Sequence, residues 1–173
     1  VATAKSGIKT LADLKGKSLS VGAPQSGTDL NARAILQAAG LDENDIGKIK
    51  PLSFAESVTQ MKDGKLDATL QSAGLGVSSL NELSNSGDIV MVPVPRDLVE
   101  KIGPPFMAAT IPASTYRGQS RDIPTAAVMN YLVTSSDVAD EIAYQMTKLV
   151  FDRLPELAKA HPAAGDIMLE RAM

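Results

Sequence analysis

Leu19-Ser20-Val21-Gly22-Ala23-Pro24-Gln25-Ser26-Gly27-Thr28-Asp29 is the stretch that decides the fold. Leu19 and Val21 alternate with serine, the period of a half-buried strand, and Gly22 to Gly27 punctuates the chain as a loop. A helix is expected from near Thr28 to Gly40, with Leu30, Ala34, Ala38 and Leu41 on the face that packs against a sheet. Strand, small-residue loop and helix in this order make one βα unit.

The same pattern recurs on either side. Upstream, Thr10 opens a short helix through Leu11 and Leu14, Asp13 serves as a weaker capping-box acid, and Gly16 ends it. Downstream, Leu41 to Lys50 reads as a polar connection and Pro51-Leu52 as a short strand. Ser53-Phe54-Ala55-Glu56 has the spacing of a capping box for a helix that buries Val58 and Met61 and stops at Gly64. Leu66 to Gln71 is the next strand, followed by Ser72-Ala73-Gly74 and a helix carrying Val77, Leu80 and Leu83. Asp88 to Val92 is a third apolar strand, and Pro95 opens a short helix to Lys101. These units predict an α/β lobe around a mostly parallel sheet.

After Gly103-Pro104-Pro105 the composition changes, so a boundary is expected between about 104 and 124. Ala108 to Ile111 reads as extended, Tyr116 to Pro124 as a polar loop, and Ala126 to Val133 as another strand. Ser136 is expected to cap a helix with Val138, Ile142, Met146, Leu149 and Val150 at helical spacing, and Pro155 to open one more.

Composition narrows the functions. The chain has 173 residues, 44% hydrophobic and 21% charged, with net charge −3 and 3% aromatic residues. An acidic balance without tryptophan argues against a nucleic-acid partner. No apolar run reaches the ~20 residues of a membrane span. With no cysteine and one histidine, thiolate zinc sites, histidine-pair zinc sites and cysteine nucleophiles are excluded. His161 precedes Pro162 in a polar tail and reads as solvent-exposed. Ser6-Gly7-Ile8-Lys9 has the bare S-x-x-K spacing without its companion motifs, and G-x-S-x-G is absent. No catalytic constellation, metal site or cofactor site is expected.

The loop from Gly22 to Asp29 carries the sharpest chemistry. Ligands of open α/β sheets bind beyond the carboxyl ends of the strands, where free N–H groups of a helix start favour an anion. Gly27 permits close backbone approach, and the hydroxyls of Ser26 and Thr28 can donate to an oxygen. A purely structural reading stands beside this one: Thr28 caps its helix and Gly27 makes a tight turn. Gly22 and Gly27 have phosphate-loop spacing, but Thr28-Asp29 stands where Lys-Ser/Thr is required, so a triphosphate is rejected and a small carboxylate suits the turn better. Ser72, Ala73 and Gly74 open toward the same edge if the strands are parallel, though small residues there also serve packing. Ser53 and Phe54 are candidates for a third wall, with Phe54 alternatively in the core.

Ser6 to Gly22, with Ser26-Gly27-Thr28, Asn31-Ala32-Arg33, Ser53-Phe54, Asp67-Ala68 and Ala73-Gly74, resembles the TAXI family of TRAP-transporter solute receptors, the TRAP-associated extracytoplasmic immunogenic proteins. Thr110 to Tyr116, Gln119, Pro124-Thr125 and His161-Pro162 are similar to that family's later segments. The resemblance implies a periplasmic-binding-protein-like lobe with a mostly parallel sheet flanked by helices, plus C-terminal helices, the first lobe largely missing. Residues 1–112 would be the second ligand-binding lobe with its N-terminal hinge segment. Residues 113–173 would be the hinge return, a strand and helices that dock on the first lobe.

The implied function is a periplasmic receptor that captures a small organic anion or amino acid, glutamate-like among the possibilities, for a TRAP-type membrane permease. It would be neither an enzyme nor itself membrane-spanning. Ser26, Gly27 and Thr28 are the candidates for a ligand carboxylate, Ser72 and Gly74 for its other polar groups, with Gln25, Asn31 and Phe54 as lesser contacts. Arg33 lies inside its helix and is assigned no ligand. An ABC-type binding protein and the effector-sensing domain of a transcription regulator share the architecture and are the alternatives.

Overall fold

The computed structural model describes residues 1–160 and 162–172, so His161 lies outside the described residues. Contacts divide the chain into two compact units, Val1–Met129 and Asn130–Met173.

The first unit is built on a five-stranded sheet in the order β3-β2-β4-β1-β5. Its strands are β1 (Ala2–Thr3), β2 (Ser18–Ser20), β3 (Lys48–Lys50), β4 (Ala68–Thr69) and β5 (Ile89–Val90). β2 runs parallel to both β3 and β4, whereas β1 is antiparallel to both β4 and β5. Every strand but β1 therefore points the same way, which makes the sheet mostly parallel, as expected. β1 itself has no counterpart in the sequence reading, because two residues show no period.

Helices α1 (Gly27–Ala38), α2 (Phe54–Lys62), α3 (Ser78–Ser86) and α4 (Arg96–Ile102) connect these strands and the hairpin that follows. One core gathers Ile8, Leu14, Leu19, Val21, Leu36 and Ile46, and another joins Val58 and Met61 of α2 to Leu66 and Leu83. α2 is secured at its start as the sequence predicts: Ser53 N–H and Oγ donate to Glu56 Oε2 at 2.9 and 2.7 Å, and Glu56 N–H donates back to Ser53 Oγ at 3.3 Å. Those bonds hold the Glu56 carboxyl below its usual value. Between sheet and helix, Ser57 Oγ donates to the Ser53 carbonyl at 2.8 Å, so Ser20 supplies the hydrogen of the 2.7 Å Ser20–Ser57 bond.

Asp67 ties β2 to β4: its Oδ2 accepts from Ser18 N–H at 2.9 Å and from Ser18 Oγ at 2.8 Å. Partial burial pushes this carboxyl up. The two Ser18 hydrogen bonds, with the nearby Lys17 and Lys5 charges, outweigh that and hold it below the usual aspartate value.

Several expectations need correction. Lys48–Lys50 is a strand inside the expected polar connection, and Pro51-Leu52 is not one. Two lysines hid β3, because an edge strand tolerates charge. The buried face of α1 is Thr28, Ala32, Ile35 and Leu36, whereas Leu30 is 63% exposed. Thr10 to Leu14 keeps the cap through Asp13, whose Oδ2 accepts from Thr10 N–H at 2.8 Å, but the turn is 3-10 rather than α. Ser6 belongs to a turn of its own: its hydroxyl donates to the Thr3 carbonyl at 2.6 Å and accepts from Ile8 N–H at 3.3 Å.

β6 (Phe106–Ile111) and β7 (Ile123–Val128) pair antiparallel from Phe106↔Val128 to Ile111↔Ile123. The second strand thus begins earlier than Ala126 and ends before Val133. This hairpin belongs to the first unit, where Phe106 and Ala126 pack against Ile35, Val94 and Val99. It also spans the 112/113 division expected from sequence.

In the second unit, α5 (Asp140–Asp152) and α6 (Leu154–Ala160) are followed by 3-10 turns at Pro162–Asp166 and Leu169–Arg171. Ala139, not Ser136, precedes α5 as its cap residue, and no side chain caps it. None of the residues from 130 onward whose burial is described is buried.

Candidate functional site

Because β2, β3 and β4 are parallel, the segments that follow them leave the sheet at one edge. Those segments are Val21–Ser26, Pro51–Phe54 and Leu70–Gly76. A hydrogen bond joins the helix that follows the first segment to the third segment: Asn31 Nδ2, on the first turns of α1, donates to Ser72 Oγ at 2.9 Å.

At the start of α1 the structure redistributes the roles read from the sequence. Ser26, not Thr28, is the N-cap, its Oγ accepting from Asp29 N–H at 3.2 Å. Its hydroxyl hydrogen remains free to donate outward. The tight turn falls on Gln25, which takes a left-handed φ of 60°, rather than on Gly27. Close approach falls on Gly22, whose φ is 90° and where an added Cβ would lie 2.7 Å from Thr28 Cβ. Thr28 is thereby buried against Gly22. Gly27 is exposed, and a Cβ there would meet nothing within 4 Å. The room that a bound group needs therefore opens beside Gly27, where the N–H groups of Gly27 and Thr28 have no acceptor within the helix.

Asp29 is the one negative charge in this first turn, and it is engaged. Its Oδ2 accepts from Gln25 N–H at 3.2 Å and its Oδ1 from Arg33 Nε at 2.9 Å. Arg33 also pairs with Glu43, and together the Glu43 and Asp29 carboxylates raise the Arg33 pKa further above its ordinary value. Arg33 is shared by two carboxylates, Asp29 and Glu43, so what the start of α1 offers an anion is its unpaired N–H groups. Arg33 contributes no free cation, in keeping with its position inside the helix.

Of the sequence candidates, Gln25, Ser26, Gly27, Thr28 and Asn31 lie at the start of α1, with the Thr28 side chain buried, and Ser72 is joined to them through Asn31. Phe54, half-buried at the first position of α2, and Gly74, exposed, share the same edge without a bond to them. Two residues escaped the sequence reading. Tyr116 is buried and its Oη accepts from Gly76 N–H at 3.1 Å, so it holds the end of the Ser72–Gly76 segment. Gln71 accepts from Ser79 Oγ at 2.6 Å while its buried Nε2 has no partner among the described residues. A long-range latch such as Tyr116–Gly76 leaves no local signature. The placement of Gln71 at the carboxyl end of the expected strand Leu66 to Gln71 was the available signal for that residue.

Among the described residues no helix is long and apolar enough to cross a membrane. The sequence model of the NMT1-like family matches residues 1–173. The chain belongs to that family, one of the periplasmic-binding-protein-like families, and membership gives it the general role of a solute receptor.

Proposed function

We propose that this NMT1-like chain is the ligand-gripping lobe of an extracytoplasmic receptor that captures a small carboxylate or amino acid and delivers it to a TRAP-type permease. The observation that carries the reading is the Asn31–Ser72 bond, which joins α1 to the segment after β4 beside the unpaired N–H groups of Gly27 and Thr28. Those groups and the Ser26 hydroxyl receive the carboxylate. Ser72 and Gly74 meet the remaining polar groups, with Gln25, Asn31 and Phe54 at the margin. The finer TAXI assignment rests on the sequence resemblance.

The protein acts by closure, not catalysis. A solute that touches this lobe and a facing one binds the closed state more tightly than the open state, and that difference drives the change. In this reading residues 1–112 grip the solute, while 113–173 form the hinge return and the helices that cover the first lobe. The bare apolar side chains of Tyr131, Leu132 and Val133, exposed 75, 78 and 82%, support such a covering role. Work takes place in the periplasm.

Calorimetry and thermal-shift measurements on the protein carrying both lobes, against a panel of amino acids and dicarboxylates, test the proposal. Saturable heat with at least one carboxylate is expected, weakened by Ser26→Ala and Ser72→Ala. A panel that yields neither heat nor stabilisation overturns it. A neighbouring gene for an ATPase instead of a TRAP permease would redirect the delivery step to an ABC system.

A further inference from the structure

A second polar feature lies on the outer edge of the sheet. β5 is an edge strand that pairs only with β1. The register Ala2↔Val90, with Ala4 N–H donating to the Asp88 carbonyl at 3.0 Å, turns the backbone groups of Val90 and Asp88 toward β1. The N–H and C=O of Ile89 therefore face outward, away from the sheet. Opposite them runs the loop from Tyr116 to Ile123, leaving a cavity of about 160 Å³ against β5.

The loop is held in shape. Gln119 Nε2 donates to the carbonyls of Ile111, Pro112 and Arg121 at 3.2, 2.9 and 3.0 Å, and its Oε1 accepts from Tyr116 N–H at 3.3 Å. Arg117 and Arg121 are among the residues lining the cavity, and neither forms an ion pair with a described residue. Arg117 makes one long bond, Nη1 to the Asn85 carbonyl at 3.4 Å. The neighbouring larger cavity, about 570 Å³, shares Ile89, Arg117 and Gly118 with this one and also has Asp88 in its lining, a charge that repels an anion; the smaller one adds Arg121 and has no acidic residue in its lining.

We propose that this cavity is an oxyanion site, with Arg117 and Arg121 as the charge-assisted donors and the outward N–H of Ile89 as a third. It takes a phosphate-type group, either free inorganic phosphate or the terminal phosphate of a larger molecule. It is separate from the crevice of the proposed receptor function and does not depend on it.

The test is a ¹⁵N chemical-shift titration of the full chain with inorganic phosphate, at ionic strength held constant with chloride. Saturable shifts are expected at Ile89 and Gly118, with affinity lowered about tenfold in Arg117→Gln and again in Arg121→Gln. Both side chains are exposed, so the thermal midpoint should stay unchanged, and Arg117→Lys should recover part of the affinity. Parallel titration with phenyl phosphate separates the sources: comparable binding identifies a terminal phosphate, and binding of inorganic phosphate alone identifies the free ion. Shifts confined to Gly27 and Thr28 would overturn this site while leaving the receptor reading intact. Linear, unsaturated shifts at Ile89, or saturable ones indifferent to both substitutions, would also overturn it.

Discussion

Val1–Met129 and Asn130–Met173 use apolar residues in opposite ways. In the first unit Ile8, Leu66, Val58 and Val99 are buried to 2% exposure or less, whereas in the second Ile142, Met146 and Leu149 recur at helical spacing along α5 and stay 54, 49 and 58% exposed. Both segments are amphipathic in sequence, and only one has found a partner surface. Periodicity reports that a helix has an apolar face; it does not report what the face meets. The first unit carries its own core, and the second leaves its described large apolar side chains largely open to solvent.

Five substitutions test that contrast. Leu66→Ala should have the largest effect, because it empties a site closed between α2 and α3; a loss of about 2–5 kcal/mol is expected in urea unfolding. Gly22→Ala forces a Cβ against Thr28 at a left-handed backbone position and should cost about 1–3 kcal/mol. A smaller loss than for Leu66→Ala, with weakened carboxylate binding, would place the damage at the helix start.

Asp67→Asn removes a carboxylate that two Ser18 donors favour and should cost about 1–2 kcal/mol at neutral pH. The Asp67 carboxyl is depressed in the folded chain, so its stabilisation is complete above the usual aspartate value and disappears as pH falls through the lower folded value. The gap between wild type and variant should therefore narrow on acidification, and a gap that widens would refute the assignment. Tyr116→Phe keeps the ring and loses only the acceptor of Gly76 N–H, so about 1 kcal/mol and faster hydrogen exchange at Gly76 are expected. Leu132→Ser should be the mildest, within about 0.5 kcal/mol in the same urea experiment, since the residue is 78% exposed. A loss comparable to that of Leu66→Ala would abolish the distinction between the two units.

Much of the fold was legible because local chemistry and tertiary structure agree. The Ser53–Glu56 box, the apolar positions Val58 and Met61, and the stop at Gly64 all stand where the spacing puts them. β3 was hidden by Lys48 and Lys50, and β1 by its brevity. At the candidate site the residues were readable and their duties were not. Which of Gly22, Gln25 and Gly27 takes the close approach, the strained turn or the open face depends on how Thr28 packs, a tertiary fact. The Tyr116–Gly76 latch spans forty residues and is invisible to any window.

The short antiparallel β1 has one more consequence. Because β5 is joined to the rest of the sheet only along β1, by hydrogen bonds at Ala2 and at Ala4 just beyond it, the sheet has a built-in order of dismantling: any fluctuation that peels Ala2–Ala4 releases β5 in the same step, while the β2–β3–β4 ladder stays zipped.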